Sequence, residues 1–137
     1  MILVDTNVWS ETLRQEPDTR VLEWLRAERH DLVLCVITVH ELKFGVNRLP
    51  TGRRKEALSA RIDALFEGMA QRVLAYDQHA ARLHAEIRGR AERAGRGLSF
   101  ADGQILGIAQ AQGARIATRN TGDFEGHGTE LINPWLA

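Results

Sequence analysis

The sequence contains a single cysteine, Cys35, so it has no means of closing an internal disulfide. Its setting in the apolar run LVLCVI marks it as a small buried hydrophobe and not a nucleophile, which agrees with a reducing compartment. Long apolar runs are missing as well: nothing approaches the roughly 20 residues needed to cross a bilayer. The opening MILVDTN has no basic segment ahead of its apolar residues, so no signal peptide is read there. A cytoplasmic protein is the expectation. There are no repeats, low-complexity tracts or linkers. The five histidines form neither an i,i+4 pair nor an H-E-x-x-H arrangement and are expected mostly at the surface. With no G-x-S-x-G elbow and no P-loop, acyl transfer and nucleotide hydrolysis lose their support. Net charge is also absent, 18 Lys and Arg balancing 18 Asp and Glu. Evenly mixed, such charges would argue against nucleic acid. They are not evenly mixed: Arg53, Arg54 and Lys55 are consecutive, and Arg82, Arg88, Arg90, Arg93 and Arg96 crowd one segment. Solvated helical faces account for each cluster by itself, with a grip on RNA as the second reading.

What is present is the alternation of short apolar runs with helical periods, in 137 residues that suit one domain. The pattern predicts an α/β domain with a mainly parallel central sheet of about five strands flanked by helices. MILVD is the first strand, and its unbroken apolar character implies burial on both faces. Thr6 or Asn7 is placed to cap a short helix through Leu13, and Pro17 and Asp18 open a second, DTRVLEWLRAER. DLVLCVI is the second strand; Thr38 ends it and offers an N-cap to TVHELKFGVNRL. A helix over Lys55 to Met69 precedes the third strand, RVLAY, and Asp77 caps a helix over Gln78 to Ala94. Gly95 ends that helix, Ser99 caps FADGQILGIAQAQ, and Gly113 closes it before the fourth strand, ARIAT. RNTGDFEGHG is read as a loop and TELINPW as a short last strand. Trp9 and Trp24 fall at helical spacing, which favours packing over base stacking.

Strands of a parallel sheet point the same way, so the segments that follow them gather on one edge, where ligands bind. Asp5 closes the first strand, Glu41 lies in the first turn after the second, and Asn120 and Asp123 follow the fourth. Asp102 joins them because a helix returning antiparallel to the fourth strand begins on the same edge. Carboxylates held together in a partly desolvated cleft repel one another, and either take up protons or bind a cation. Oxygen ligands favour hard ions, so Mg²⁺ or Mn²⁺ is the natural occupant. Local explanations compete. Glu41 stands three after Thr38 in a T-x-x-E capping box, and Asp102 stands three after Ser99, where an acid suits a helix amino end. Asp5 has no such role in the pattern, although neighbouring backbone N–H groups could satisfy it.

Four blocks then carry a resemblance: D-T-N at Asp5 to Asn7, I-T-x-x-E-L-x-x-G at Ile37 to Gly45, A-D-G-Q-I-L-G-I-A at Ala101 to Ala109, and T-R-N-T-x-D-F at Thr118 to Phe124. In this order they resemble the PIN-domain toxins of the VapC type, and the M-I-L-x-D-T-N start and I-N-P-W close are similar to the FitB-like branch. The resemblance spans essentially all of residues 1–137, as one PIN domain. It implies a Mg²⁺-dependent endoribonuclease that hydrolyses RNA phosphodiester bonds through metal-activated water, the toxin of a type II toxin–antitoxin pair. A small VapB-like antitoxin would hold it inactive, in a homodimer or a dimer of toxin–antitoxin heterodimers. Carried onto matching positions, Asp5, Glu41 and Asp102 are the acidic metal ligands. The fourth acidic slot is Asn120, an amide, which puts a second metal in question. Asp123 could compensate for it. Thr6 and Asn7 are expected to orient Asp5 or contact water on the metal, and Arg119 to meet a phosphate or bridge the acids. A scaffold that binds an antitoxin without cutting, and a nuclease acting on DNA, are the alternatives.

Overall fold

A computed structural model describes all residues, 1–137. Five strands, β1 (Ile2–Val4), β2 (Leu32–Cys35), β3 (Val73–Leu74), β4 (Arg115–Ala117) and β5 (Leu131–Ile132), form one sheet in the order β3-β2-β1-β4-β5, every pairing parallel. The expected α/β architecture is therefore found, with β1 at the centre. Its residues alternate between two cores. Ile2 and Val4 pack with Val8, Leu34, Leu42 and Ile62 on one side, and Leu3 packs with Val33, Ile105, Leu106 and Ile116 on the other. Burial on both faces is what an uninterrupted apolar strand requires.

The first face is covered by α1 (Thr6–Thr12), α2 (Thr19–Ala27), α3 (Val36–Asn47) and α4 (Arg53–Gly68); the second by α5 (Gln78–Arg93), α6 (Phe100–Gln112) and the single turn α7 (Thr121–Phe124). Ser99 caps α6 by accepting from the Asp102 N–H, and Asp77 caps α5 through Ala80. Gly113 ends α6 at φ 64°, a left-handed conformation that glycine adopts without strain.

Several expectations are corrected. Neither Thr6 nor Asn7 caps α1; Asp5 does. Helix α3 starts at Val36, directly from the end of β2, so Thr38 is not its cap but a wholly buried residue of the first turn. The Thr38 hydroxyl accepts from Thr6 Oγ1 at 3.0 Å and lies 3.8 Å from Cys35 Sγ. The capping-box account of Glu41 fails with it. Strands β3 and β5 are shorter than RVLAY and TELINPW, the latter because Asn133 folds back on the Trp135 N–H and Pro134 has no donor to offer a ladder. The RNTGDFEGHG stretch contains α7, nucleated by the burial of Phe124.

His84 is buried, contrary to the expected surface placement of most histidines. It sits between α5 and α6 with Nδ1 2.8 Å from the Tyr76 hydroxyl. A Cβ on Gly103 would collide with His84 Nε2, and one on Gly107 with the Ala80 carbonyl oxygen. The two helices approach closely because neither position carries a side chain, and that closeness sets where Asp102, beside Gly103, stands.

Candidate active site

At the carboxyl edge of the sheet lies a cleft of about 650 Å³ lined by Asp5, Thr6, Asn7, Glu41, Asp102 and Asn120, with Arg14, Arg119 and Trp135 also on its walls. The register of β1 against β4, Val4 opposite Ala117, puts Asp5 next to Thr118. Asp5 continues the ladder through its N–H to the Ala117 carbonyl at 2.9 Å. Its side chain turns back into the cleft edge, only 8% of the residue exposed. Oδ1 accepts from the Thr6 N–H at 2.8 Å; Oδ2 accepts from Thr118 Oγ1 at 2.8 Å and from Asn7 Nδ2 at 3.3 Å.

Burial raises the Asp5 carboxyl pKa and outweighs the lowering by the Thr118 hydroxyl and the Thr6 N–H, and the charges of Asp102 and Asp123 add to the rise. Glu41 is raised by burial and by the charges of Asp5 and Asp102, against a partial offset from the Thr6 hydroxyl. Asp102 is raised by burial and by Asp123, against the Ser99 hydroxyl. Of the four ion pairs in the molecule, none involves Asp5, Glu41 or Asp102. No cation of the protein pairs directly with these acids, and the charge of His40 offsets the rise at Glu41 only in part.

The predicted site residues are not all equally placed. Asp5, Glu41, Asp102 and Asn120 share the cleft, and so do Thr6, Asn7 and Arg119. Asp123, in the first turn of α7, is exposed and does not line it, so it acts on Asp5 and Asp102 through charge alone. Asn120 gives its backbone N–H to Thr118 Oγ1 at 3.1 Å, and Asn7 Oδ1 receives the Arg119 N–H at 3.2 Å. Sequence reasoning assigned no role to Thr118, although its position at the end of β4, opposite the end of β1, was a usable signal. Glu11 and Arg14 were missed because their pairing across the end of α1 resembles an ordinary i,i+3 surface pair; Glu11 is in fact 3% exposed.

The donor set fits a hard divalent cation by chemistry: three unpaired carboxylates, an amide oxygen, and no thiol or imidazole among them. In this conformation, however, no three acidic or histidine groups converge closely enough to enclose a metal ion. The acids form one wall set, and enclosing an ion requires their side chains to draw inward.

The family profile of the PIN domain matches residues 2–126. The chain belongs to the PIN-domain family. Among PIN-domain relatives, it is 41% identical to VapC ribonuclease Y4jK of Sinorhizobium fredii, over 98% of both chains. It is 39% identical to Toxin FitB of Neisseria gonorrhoeae, over 98% of this chain and 99% of the relative. The crystal structure of FitAcB from Neisseria gonorrhoeae superposes with a TM-score of 0.94 at 39% identity, covering all of both chains. The PIN fold thus accounts for the parallel sheet and for the edge that carries the acids. No helix of this PIN domain is long and apolar enough to cross a membrane.

Proposed function

We propose that this protein is a Mg²⁺-dependent endoribonuclease acting as the toxin of a type II toxin–antitoxin pair. The observation that carries the reading is the cleft in which Asp5, Glu41 and Asp102, from three remote segments, stand without an ion-pair partner. The names of the relatives, a VapC ribonuclease and a toxin, support the substrate and the setting.

Asp5, Glu41 and Asp102 would hold Mg²⁺, or Mn²⁺ in its place. When bound, the ion supplies a polarised water and neutralises charge at the phosphodiester. The chain does the positioning. Thr118, Thr6 and Asn7 aim the Asp5 carboxylate, a role in keeping with the partners that orient metal-binding carboxylates generally. Asn120 offers a neutral oxygen at the rim, so a second ion would meet one negative ligand fewer than in an all-acid site. Arg119 is the group on the cleft wall suited to an RNA phosphate.

The partner this reading requires is a small antitoxin, in a homodimer or a dimer of toxin–antitoxin heterodimers. A groove of about 1150 Å³ adjoins the cleft and shares Thr6, Ser10, Arg14 and Glu41 with it. Leu42, Val46, Leu58 and Ile62 make its floor, and Arg53, Arg54 and Arg61 also line it. An amphipathic segment with acidic residues would fit there and reach the acids.

A second reading, a scaffold that binds its antitoxin but does not cut, is favoured by the open spacing of the acids and the amide at Asn120. Titration of Mg²⁺ and Mn²⁺ against RNA cleavage, with the new 5′ ends sequenced, separates the two. Metal-dependent ends that disappear in Asp5→Asn support the nuclease; their absence at saturating metal supports the scaffold.

A further inference from the structure

Two guanidinium groups line the acidic cleft, and only one lacks a carboxylate partner. Arg14, just past the end of α1, places Nη1 3.2 Å from both carboxylate oxygens of buried Glu11 and so has a carboxylate partner of its own. Arg119 makes no ion pair. Its Cζ lies 4.8 Å from the centroid of the Trp135 ring, within the range in which an aromatic face attracts a cation.

Both ends of Arg119 are tied. Its backbone N–H donates to Asn7 Oδ1, and Asn7 Nδ2 donates in turn to Asp5 Oδ2, so the residue is linked through one side chain to the central acid. At the other end, the ring beneath the guanidinium cannot follow a moving cation. Trp135 is 6% exposed, seated in the same core as Val8 and Val4, and its backbone N–H is held by Asn133 Oδ1 at 3.0 Å. The Arg119 side chain donates no hydrogen bond within the protein, so its N–H groups remain available for bidentate contact with a phosphate.

An acid-lined cleft repels the polyanion it must admit. An unpaired cation on its wall offsets that repulsion. We propose that Trp135 is a positioning residue, holding the Arg119 guanidinium flat beside the acids so that its in-plane donors meet a phosphate of single-stranded RNA adjacent to the one under attack. This rests on the ribonuclease reading and adds to it a role for the I-N-P-W close of the chain.

The test is binding of a labelled single-stranded RNA oligonucleotide to the full chain, in EDTA so that nothing is cut, over a series of salt concentrations. Arg119→Gln, at an exposed position, should weaken binding severalfold and reduce the slope of log Kd against log salt by about 0.7, the value of one single-strand phosphate contact. Trp135→Leu and Trp135→Met should shift both quantities in the same direction, Trp135→Phe less, and Arg119→Gln/Trp135→Leu should bind no worse than Arg119→Gln alone. A wild-type slope in Arg119→Gln overturns the proposal, as do folded Trp135 variants with wild-type binding or losses that simply add. Where neither the leucine nor the methionine variant folds by circular dichroism, Arg119→Lys decides, because it keeps the charge without the planar face; wild-type affinity there overturns the role of the ring. The two readings fail separately. A wild-type protein that binds RNA in this way but cuts none with Mg²⁺ refutes the nuclease alone; one that cuts while Arg119→Gln binds normally refutes the positioning alone.

Discussion

Thr118 Oγ1 donates to Asp5 Oδ2 at 2.8 Å, joining the ends of β1 and β4 across 113 residues of chain. The same hydroxyl accepts from the Asn120 N–H and from Asn7 Nδ2, so one buried threonine ties three residues of the cleft together. Thr118→Val keeps the β-branched shape and removes these contacts. Leaving buried polar groups short of a partner costs about 1–3 kcal/mol, and loss of such an orienting contact weakens metal binding roughly 10–100-fold. Urea unfolding and Mg²⁺ calorimetry measure the two effects. Unchanged stability and unchanged affinity together would rule out the orienting role of Thr118.

Asp5→Asn is expected to keep the fold, because an asparagine side-chain oxygen caps α1 as well as an aspartate does. It should nonetheless lower Mg²⁺-dependent RNA cleavage by at least about 100-fold, along with Glu41→Gln, since each removes a negative ligand. Single-turnover cleavage at the wild-type rate in folded Asp5→Asn would remove Asp5 from the catalytic set.

Burial raises the carboxyls of Asp5, Glu41 and Asp102 above their ordinary values. The folded protein then holds these protons more tightly than the unfolded chain does. Their stabilising contribution is complete below the unfolded carboxylate pKa, about 4, and is lost as pH rises from there through the raised folded values. Metal-free Asp102→Asn should therefore melt above wild type at pH 7, with the difference shrinking as pH falls toward 4. Added Mg²⁺ should stabilise the wild type at pH 7 and lose that effect on acidification, because protons compete for the same oxygens. Melting curves of both proteins at the two pH values, with and without the ion, check the sign; a variant that melts below wild type at pH 7 contradicts it.

Gly103→Ala would drive a methyl group into the ring of His84, which Tyr76 and Phe100 hold in place. Overpacking of this kind costs typically about 1–3 kcal/mol, and here it also pushes α6 away from α5, carrying Asp102 with it. Cleavage should fall further than the loss of folded protein explains. His84→Ala in the same chain should restore part of both. If Gly103→Ala alone melts like wild type, the close approach of the helices is not what positions Asp102.

The order of elements and the two-sided burial of β1 were legible because apolar periodicity is a local property: Met1 to Val4 admit no polar face, and helices of α6 type end where Gly113 permits a left-handed turn. The positions of Asp5, Glu41 and Asp102 on one edge followed from parallel topology alone. What misled was also local. Thr38 followed by Glu41 is a capping pattern on paper, yet β2 passes into α3 without a loop, and tertiary burial took the threonine for contacts with Thr6 and Cys35. His84 looked like one more residue of an arginine-rich helix because nothing in its neighbourhood announces the gap left by Gly103 and Gly107.

By itself, then, the amino-acid order determined the α/β class and the strand edges that carry the acids, since each depends on residue type and short-range spacing. Only the folded chain decided that Thr118 clasps Asp5, that Glu11 occupies Arg14, and that Trp135 lies under Arg119. The first and last of these join residues from separate elements, their partners chosen by the register of β1 with β4 and by the packing of buried side chains, which no local pattern encodes; the Glu11–Arg14 pair is local in sequence, and what tertiary structure added to it is the burial of Glu11.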